Sequence, residues 1–379
     1  MYSWLTDRAR APRDRGLTLI ELLVASVVAM ILIVSVYYVY TISTRGYRVQ
    51  EQMMGAMKQA RFGLEQMQRD LSAAGFLATP LSSADTSVCP KPAVILRGFS
   101  IATTGAVGAP GANVQIRPQQ VTLFGAFWSP RIYFTQSVAG KVVTFQAGTD
   151  FPQSDEEFKM IFVAGRFLRL VNADQFEMYI AIESANFVNK TVTLVTSVPV
   201  ASPPDFCGIQ GFGVGLEANV TGFVRYSLAA DASETAKVDV IRQEINGTDG
   251  TVMPKSTIRV AEYVADLQFY DFAVDTDRVT GRQPTIGVYP TLDGAAPAGL
   301  QPLVLDLTAA ARPQDLRFVT VKLTTRTREE DETFPFKART ALNVPLDSYE
   351  IDPTMVGSAH TVSLAARVGF PSFQVRNVK

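Results

Sequence analysis

A carboxylate at the fifth position of a membrane-length apolar run constrains this chain more than any other feature. Residues 17–40 are apolar apart from Thr18, Glu21, Ser26 and Ser35, and as a helix they would span ~36 Å, enough to cross a bilayer. Glu21 is the anomaly. An ionised carboxylate in a membrane helix costs on the order of 3 kcal/mol at the centre, less near an end, so it needs a partner or a role. Arg8, Arg10, Arg13 and Arg15 precede the run, while Arg45 and Arg48 follow it, an asymmetry that favours a cytoplasmic leader.

Cleavage after Gly16 would supply the partner, because it leaves the α-amine of Leu17 as a cation about one helical turn from the Glu21 carboxylate. Gly16-Leu17-Thr18-Leu19-Ile20-Glu21, led by Arg13, Asp14 and Arg15, resembles the class III signal of type IV prepilins. The resemblance implies that a membrane peptidase cuts between Gly16 and Leu17 and that Leu17 becomes the N-methylated terminus. It also implies that Glu21 pairs with a terminal amine, in a filament usually that of a neighbouring subunit. Leucine stands at position 17 where phenylalanine is usual in that family. Two plainer accounts fit less well. A secretory signal has a shorter apolar core ending in a small-residue site, of which Val27-Val28-Ala29 is a weak version, and a plain anchor needs no glutamate.

The chain has 379 residues and a formal net charge of -1, and losing residues 1–16 removes four arginines and two aspartates, leaving -3. That balance offers no attraction to nucleic acid. Cys89 and Cys207, the two cysteines, lie beyond the apolar run, on the oxidising side in the expected orientation. One disulfide is the natural expectation, with two buried thiols as the alternative.

No proline occurs between Pro12 and Pro80, so the apolar run is expected to continue into a second helical segment, one helix over 17–75 about 87 Å long. Met53, Met57, Ala60, Leu64, Met67 and Leu71 recur at steps of four and three, a packing stripe for the protein's own head or for other helices. Arg61, Glu65 and Arg69 line a solvated face. Gly75 is a plausible C-cap, and Gly46, Gly55 and Gly63 are expected weak points.

From residue 76 to 379 the pattern changes to short β-type runs at 121–127, 131–136, 142–145, 176–182, 191–196, 222–228, 237–241, 318–325 and 336–344. Segments 102–119 and 281–302 are rich in Gly, Ala and Pro and read as loops, either of which could separate two subdomains. The fold class is therefore α+β: a long N-terminal helix followed by a β-rich, mostly antiparallel head.

Arg61-Phe62-Gly63-Leu64-Glu65-Gln66-Met67-Gln68-Arg69-Asp70-Leu71, then Ala74-Gly75-Phe76, resembles the helix end of PilW-type minor pilins of type IV pili. Arg367-Val368-Gly369-Phe370 with Val375-Arg376-Asn377 resembles that family's closing strand. Ala261-Glu262-Tyr263-Val264-Ala265-Asp266-Leu267-Gln268-Phe269 is similar to a segment shared by PilW-type proteins and the J-type minor pseudopilins of type II secretion. The resemblance implies a membrane-inserted precursor whose helix enters a pilus and whose head faces the periplasm and then the exterior. Its implied partners are prepilin peptidase, the inner membrane, other minor pilins and the major pilin, with a tip adhesin as a further candidate. The alternatives are a type II secretion pseudopilin and a displayed adhesin head.

Enzyme chemistry has little support. His360 is the one histidine, in a context that reads as a loop, and Gly211-Phe212-Gly213-Val214-Gly215 has neither dinucleotide-loop spacing nor a phosphate-binding lysine. Asp155-Glu156-Glu157, Asp275-Thr276-Asp277 and Glu329-Glu330-Asp331-Glu332 lack calcium-loop spacing and read as solvated turns or edges. No cofactor or metal site is expected.

Overall fold

A computed structural model describes residues 18–103, 116, 118–172, 174–199, 215–234, 236–275, 286–289, 313–337 and 346–375. These fall into two units that divide between Gln52 and Met53. The helix α1 is Leu19–Ser72. Within the first unit it carries its large apolar side chains, such as Leu22, Ile31 and Tyr38, exposed.

The second unit holds two antiparallel sheets. The first is built from β1 (Phe99–Thr103), β2 (Gln119–Gly125), β3 (Tyr133–Ala139), β4 (Val142–Phe145), β5 (Phe167–Val171), β6 (Glu177–Asn186), β7 (Thr191–Leu194), β8 (Glu217–Ala230), β9 (Val238–Ile245) and β10 (Ile258–Ala261). Its pairing runs β8-β3-β4-β7-β6-β5 and returns to β8, closing a six-stranded barrel. Closure removes the free edges those strands would otherwise present. Tyr133, Phe145, Phe151, Phe158 and Phe162 fill the barrel core ring against ring. Phe158 and Ile161, on one face of the short helix α2 (Asp155–Ile161), are buried in it. Ser154 caps α2, accepting from the Glu157 N–H at 3.1 Å, and Asp155-Glu156-Glu157 occupy its first turn, where negative charge suits the helix dipole.

β8 joins the barrel to the open part of the sheet. Its residues 217–221 pair with β5, and residues 222–230 pair with β2 or β9. At the changeover sits Gly222, where an added Cβ would lie 2.9 Å from the Trp128 ring. The change of partners inside β8 separates barrel from open sheet.

The second sheet has the order β12-β11-β13-β15-β14, from β11 (Val264–Asp275), β12 (Ile286–Tyr289), β13 (Leu316–Arg326), β14 (Ser348–Tyr349) and β15 (Ala359–Gly369). A short helix α3 (Pro371–Val375) follows. Leu64, Met67 and Leu71 of α1 share one buried cluster with Val121 and Leu123 of β2, Tyr226 of β8 and Val319, Val321 and Leu323 of β13. Both sheets and this stretch of helix therefore rest on a common core.

Several sequence expectations change. Gly63 is a contact point rather than a weak one: a Cβ there would meet Leu323 Cδ2 at 2.8 Å and Ala261 Cβ at 3.0 Å, so its absence brings the helix backbone close to the sheet. α1 ends at Ser72, and Gly75 follows in the left-handed region at φ 71°, its N–H donating to Phe124 O at 2.8 Å. His360 lies in β15, not a loop. β12 falls within 281–302, which read as a loop. Phe336 and Lys337 are not in a strand, and 338–345 lie outside the described residues. β5 escaped notice because Arg169 interrupts Phe-Leu-Arg-Leu-Val; that residue is buried by Glu177 at 2.6 Å and Asn219 at 2.9 Å.

Candidate functional site

The N terminus of α1 is closed by its own side chains. Thr18 N and Thr18 Oγ1 donate to Glu21 Oε2 at 2.9 and 3.0 Å, and Glu21 N donates back to Thr18 Oγ1 at 3.3 Å. This is a reciprocal capping box, in which each side chain satisfies a backbone donor of the other residue. The sequence signal was Thr-x-x-Glu at the head of an apolar run, and a reading centred on the amine of Leu17 overlooked it. Both bonds fall on Oε2, and among the described residues no donor reaches Oε1. Gly16 and Leu17 lie outside the described residues.

Beyond Glu21 the polar groups of the apolar stretch are folded back on the helix. Ser26 donates to Leu23 O at 2.8 Å, Ser35 to Ile31 O at 2.8 Å, Thr41 to Tyr38 O at 2.8 Å and Thr44 to Tyr40 O at 2.6 Å. Each hydroxyl thereby has a partner within the helix, as an apolar surrounding would require. An 18-residue window of α1 has mean hydropathy 2.8 with none of it buried by the chain itself. Such a surface is suited to lipid or to other apolar helices.

In the second unit the expected stripe divides. Ala60, Leu64, Met67 and Leu71 are buried against the head, together with Ala56 and Gly63, while Met53 and Met57 are exposed. Phe62 is exposed as well and helps line a groove of about 380 Å³ with Lys58, Gln59, Arg259, Val260, Ala261 and Glu262. Polar contacts fix this part of the helix. Thr325 Oγ1 donates to Ala56 O at 2.9 Å, and Glu262 N donates to Gln59 Oε1 at 3.3 Å. Asp70 accepts on one oxygen from both Tyr226 OH and Arg242 Nε at 2.6 Å. Burial, then the Asp70 charge, raises the Tyr226 phenol well above its ordinary range.

Cys89 is not a free thiol, and its N–H donates to Glu177 O at 2.9 Å. Cys207 lies outside the described residues, as do Gly211 to Gly213 and Val214 of the glycine-rich stretch. His360 stacks on Phe334 at 4.0 Å and faces Asp331 at 3.3 Å, and Glu330 accepts from Asp352 N at 3.0 Å. Asp275 pairs with Arg317 at 2.8 Å, and Asp277 lies outside the described residues. Among the described residues no group of three His, Cys, Asp or Glu side chains is placed to hold a metal ion.

Residues 12–37 match the prokaryotic N-terminal methylation motif. The chain carries a prepilin-type signal. That signal, with the capped apolar helix behind it and an antiparallel β head beyond, supports a type IV pilin-like protein. A prepilin-type motif implies interaction with prepilin peptidase and the pilus assembly machinery, and the long apolar helix is consistent with membrane anchoring of the precursor. No curated protein and no solved structure matches the chain.

Proposed function

We propose that this chain is a minor pilin of the PilW type, cut between Gly16 and Leu17, methylated on Leu17, and built into a type IV pilus through α1 as part of the complex that primes assembly. One observation carries the assignment: a prepilin-type signal runs directly into an apolar run, residues 17–40, whose only carboxylate is Glu21. Glu21 serves first its own helix cap through Oε2, and its other oxygen is available to the amine of a neighbouring subunit. A cationic, methylated amine would offset the cost of carrying that carboxylate into an apolar filament core. Extraction of the helix from lipid is offset because neighbouring subunits bury it again.

The role is assembly rather than catalysis, and its partners are other minor pilins and the major pilin. The precursor resides in the inner membrane and the mature head in the periplasm and on the pilus. Cys89 and Cys207 form one disulfide in the head. PilW-type identity rests on the residues quoted above from the helix end and the closing strand.

Intact mass of the full chain, from cells with and without prepilin peptidase and from a Gly16→Ala variant, tests the proposal. Loss of residues 1–16 plus one methyl group, dependent on both the peptidase and Gly16, is the expected result. An unprocessed chain in every strain would make the segment a permanent anchor. A processed chain that fractionates with secretion machinery and never with pili would favour the pseudopilin alternative.

A further inference from the structure

Residues 22–50 carry two positive charges, Arg45 and Arg48, and no negative one. The same stretch of α1 holds Tyr37, Tyr38, Tyr40 and Tyr47, all exposed, whereas residues 22–36 before them contain neither an aromatic nor a charged side chain. At about 100° per residue, the four tyrosines and both arginines fall within one half of the helix surface. Thr41 and Thr44 lie in that half as well, but their hydroxyls turn back to Tyr38 O at 2.8 Å and Tyr40 O at 2.6 Å. Val39, Ile42, Gly46 and Val49 take the other half. The outward polar groups at this level of the helix are therefore phenols and guanidinium groups, gathered on one side.

The spacing matches the dimensions of a bilayer. Tyrosine collects where hydrocarbon meets head groups, because its ring is apolar and its hydroxyl is wet. From Glu21 to Tyr37 the helix rises ~24 Å, against a hydrocarbon core of ~30 Å. With Tyr37 at one boundary, Glu21 lies ~6 Å inside the other, where a carboxylate costs less than at the centre. Arg45 follows ~12 Å beyond Tyr37. Helical side chains lean toward the N terminus and long basic ones snorkel, so its guanidinium reaches back toward the phosphates. Arg48, one turn farther, adds its charge within about a Debye length of that surface.

We propose that the half of α1 bearing Tyr37, Tyr38, Tyr40, Arg45, Tyr47 and Arg48 binds the head groups of anionic phospholipid and fixes the depth of the helix in the membrane before assembly. The tyrosines hold the boundary and the arginines select the phosphate-bearing lipid of negative net charge. Charge complementarity favours this occupant over the same half of a second copy, which would set arginine against arginine with no acidic residue in the stretch. The proposal rests on the membrane-anchored precursor described above.

Tryptophan quenching in the full mature chain, reconstituted in phosphatidylcholine vesicles, is the test. Wild type supplies the background from Trp128, the one tryptophan beyond residues 1–16. In a Tyr38→Trp variant a nitroxide at the head-group end of the acyl chain should quench more than one at its tail. In Val28→Trp, ~15 Å away along the helix, the order should reverse. Spin-labelled phosphatidylglycerol should quench Tyr38→Trp roughly five-fold more than spin-labelled phosphatidylcholine at equal content, and adding Arg45→Gln with Arg48→Gln should bring that ratio to one. Three results overturn the proposal alone: equal quenching by the two lipids with both arginines present, strongest quenching of Tyr38→Trp by the tail nitroxide, or a lipid preference that survives loss of both arginines. A Val28→Trp chain that no lipid nitroxide quenches overturns the membrane-anchored reading and this proposal together.

Discussion

Asp70 of α1 and Arg242 of β9 meet at 2.6 Å, side chain to side chain, where both are nearly closed to solvent. Tyr226 donates to the same Asp70 oxygen at 2.6 Å, so one carboxylate ties the helix to two adjacent strands. Buried ion pairs add modestly to stability when intact, but removing one partner strands the other charge.

Asp70→Ala should therefore destabilise the protein by about 3–5 kcal/mol, measured by denaturant unfolding of the full chain in detergent. Asp70→Asn, which keeps an acceptor for Tyr226, should cost less. A loss below about 1 kcal/mol for the alanine variant would mean that water reaches Arg242 after all.

Gly55 and Gly63 should respond to alanine with opposite signs. At Gly55 an added Cβ has no neighbour within 4 Å, so only helix propensity acts and stability should rise by up to about 1 kcal/mol. At Gly63 the methyl meets Ala261 Cβ at 3.0 Å and Leu323 Cδ2 at 2.8 Å, and overpacking should outweigh propensity by about 1 kcal/mol. Paired melting curves decide the matter; equal shifts would show that the sheet yields at Gly63.

Asp231 gives the head an acid-sensitive corner. Ser233 donates to Asp231 Oδ1 through its hydroxyl at 2.6 Å and its N–H at 2.8 Å. These bonds, with Lys237 and Arg259 nearby, hold the carboxyl at about 2 against an ordinary 3.8. The depressed value favours the folded state above the ordinary range, and that contribution fades as pH falls through 3.8 toward about 2. The stability difference between wild type and Ser233→Ala should accordingly be full at neutral pH and shrink across that window. A difference independent of pH would assign the serine a packing role only.

Alkylation counts the thiols directly. Unfolded without reductant, the chain should take up no iodoacetamide, and after reduction it should take up label at both Cys89 and Cys207. Cys89→Ser should cost about 4 kcal/mol on the loop-entropy account of so long a closed loop. Label at either cysteine before reduction would refute the pairing.

Thr18→Val keeps the shape of the side chain but removes the hydroxyl that both donates to Glu21 and accepts from it. Losing an N-cap of this kind costs about 1 kcal/mol, here confined to the first turn. Faster exchange of the amides at residues 19–22 in micelles, with those of residues 30–40 unchanged, is the expected outcome.

The helix, its apolar run and the change to strands beyond residue 76 were legible in the sequence by itself, because period, proline spacing and hydropathy are local properties. So was the prepilin-type methylation motif over residues 12–37, since it too is a pattern along one segment. The tertiary structure alone decided how the stripe on α1 divides. Ala60, Leu64, Met67 and Leu71 found a sheet to pack on, whereas Met53 and Met57, in the same periodic pattern, stayed exposed. It also decided that Asp70 and Arg169 are buried, since their partners Arg242, Glu177 and Asn219 arrive from distant strands. Barrel closure has the same physical origin. Which strands pair is settled by contacts far apart in the chain, and local propensity carries no information about them.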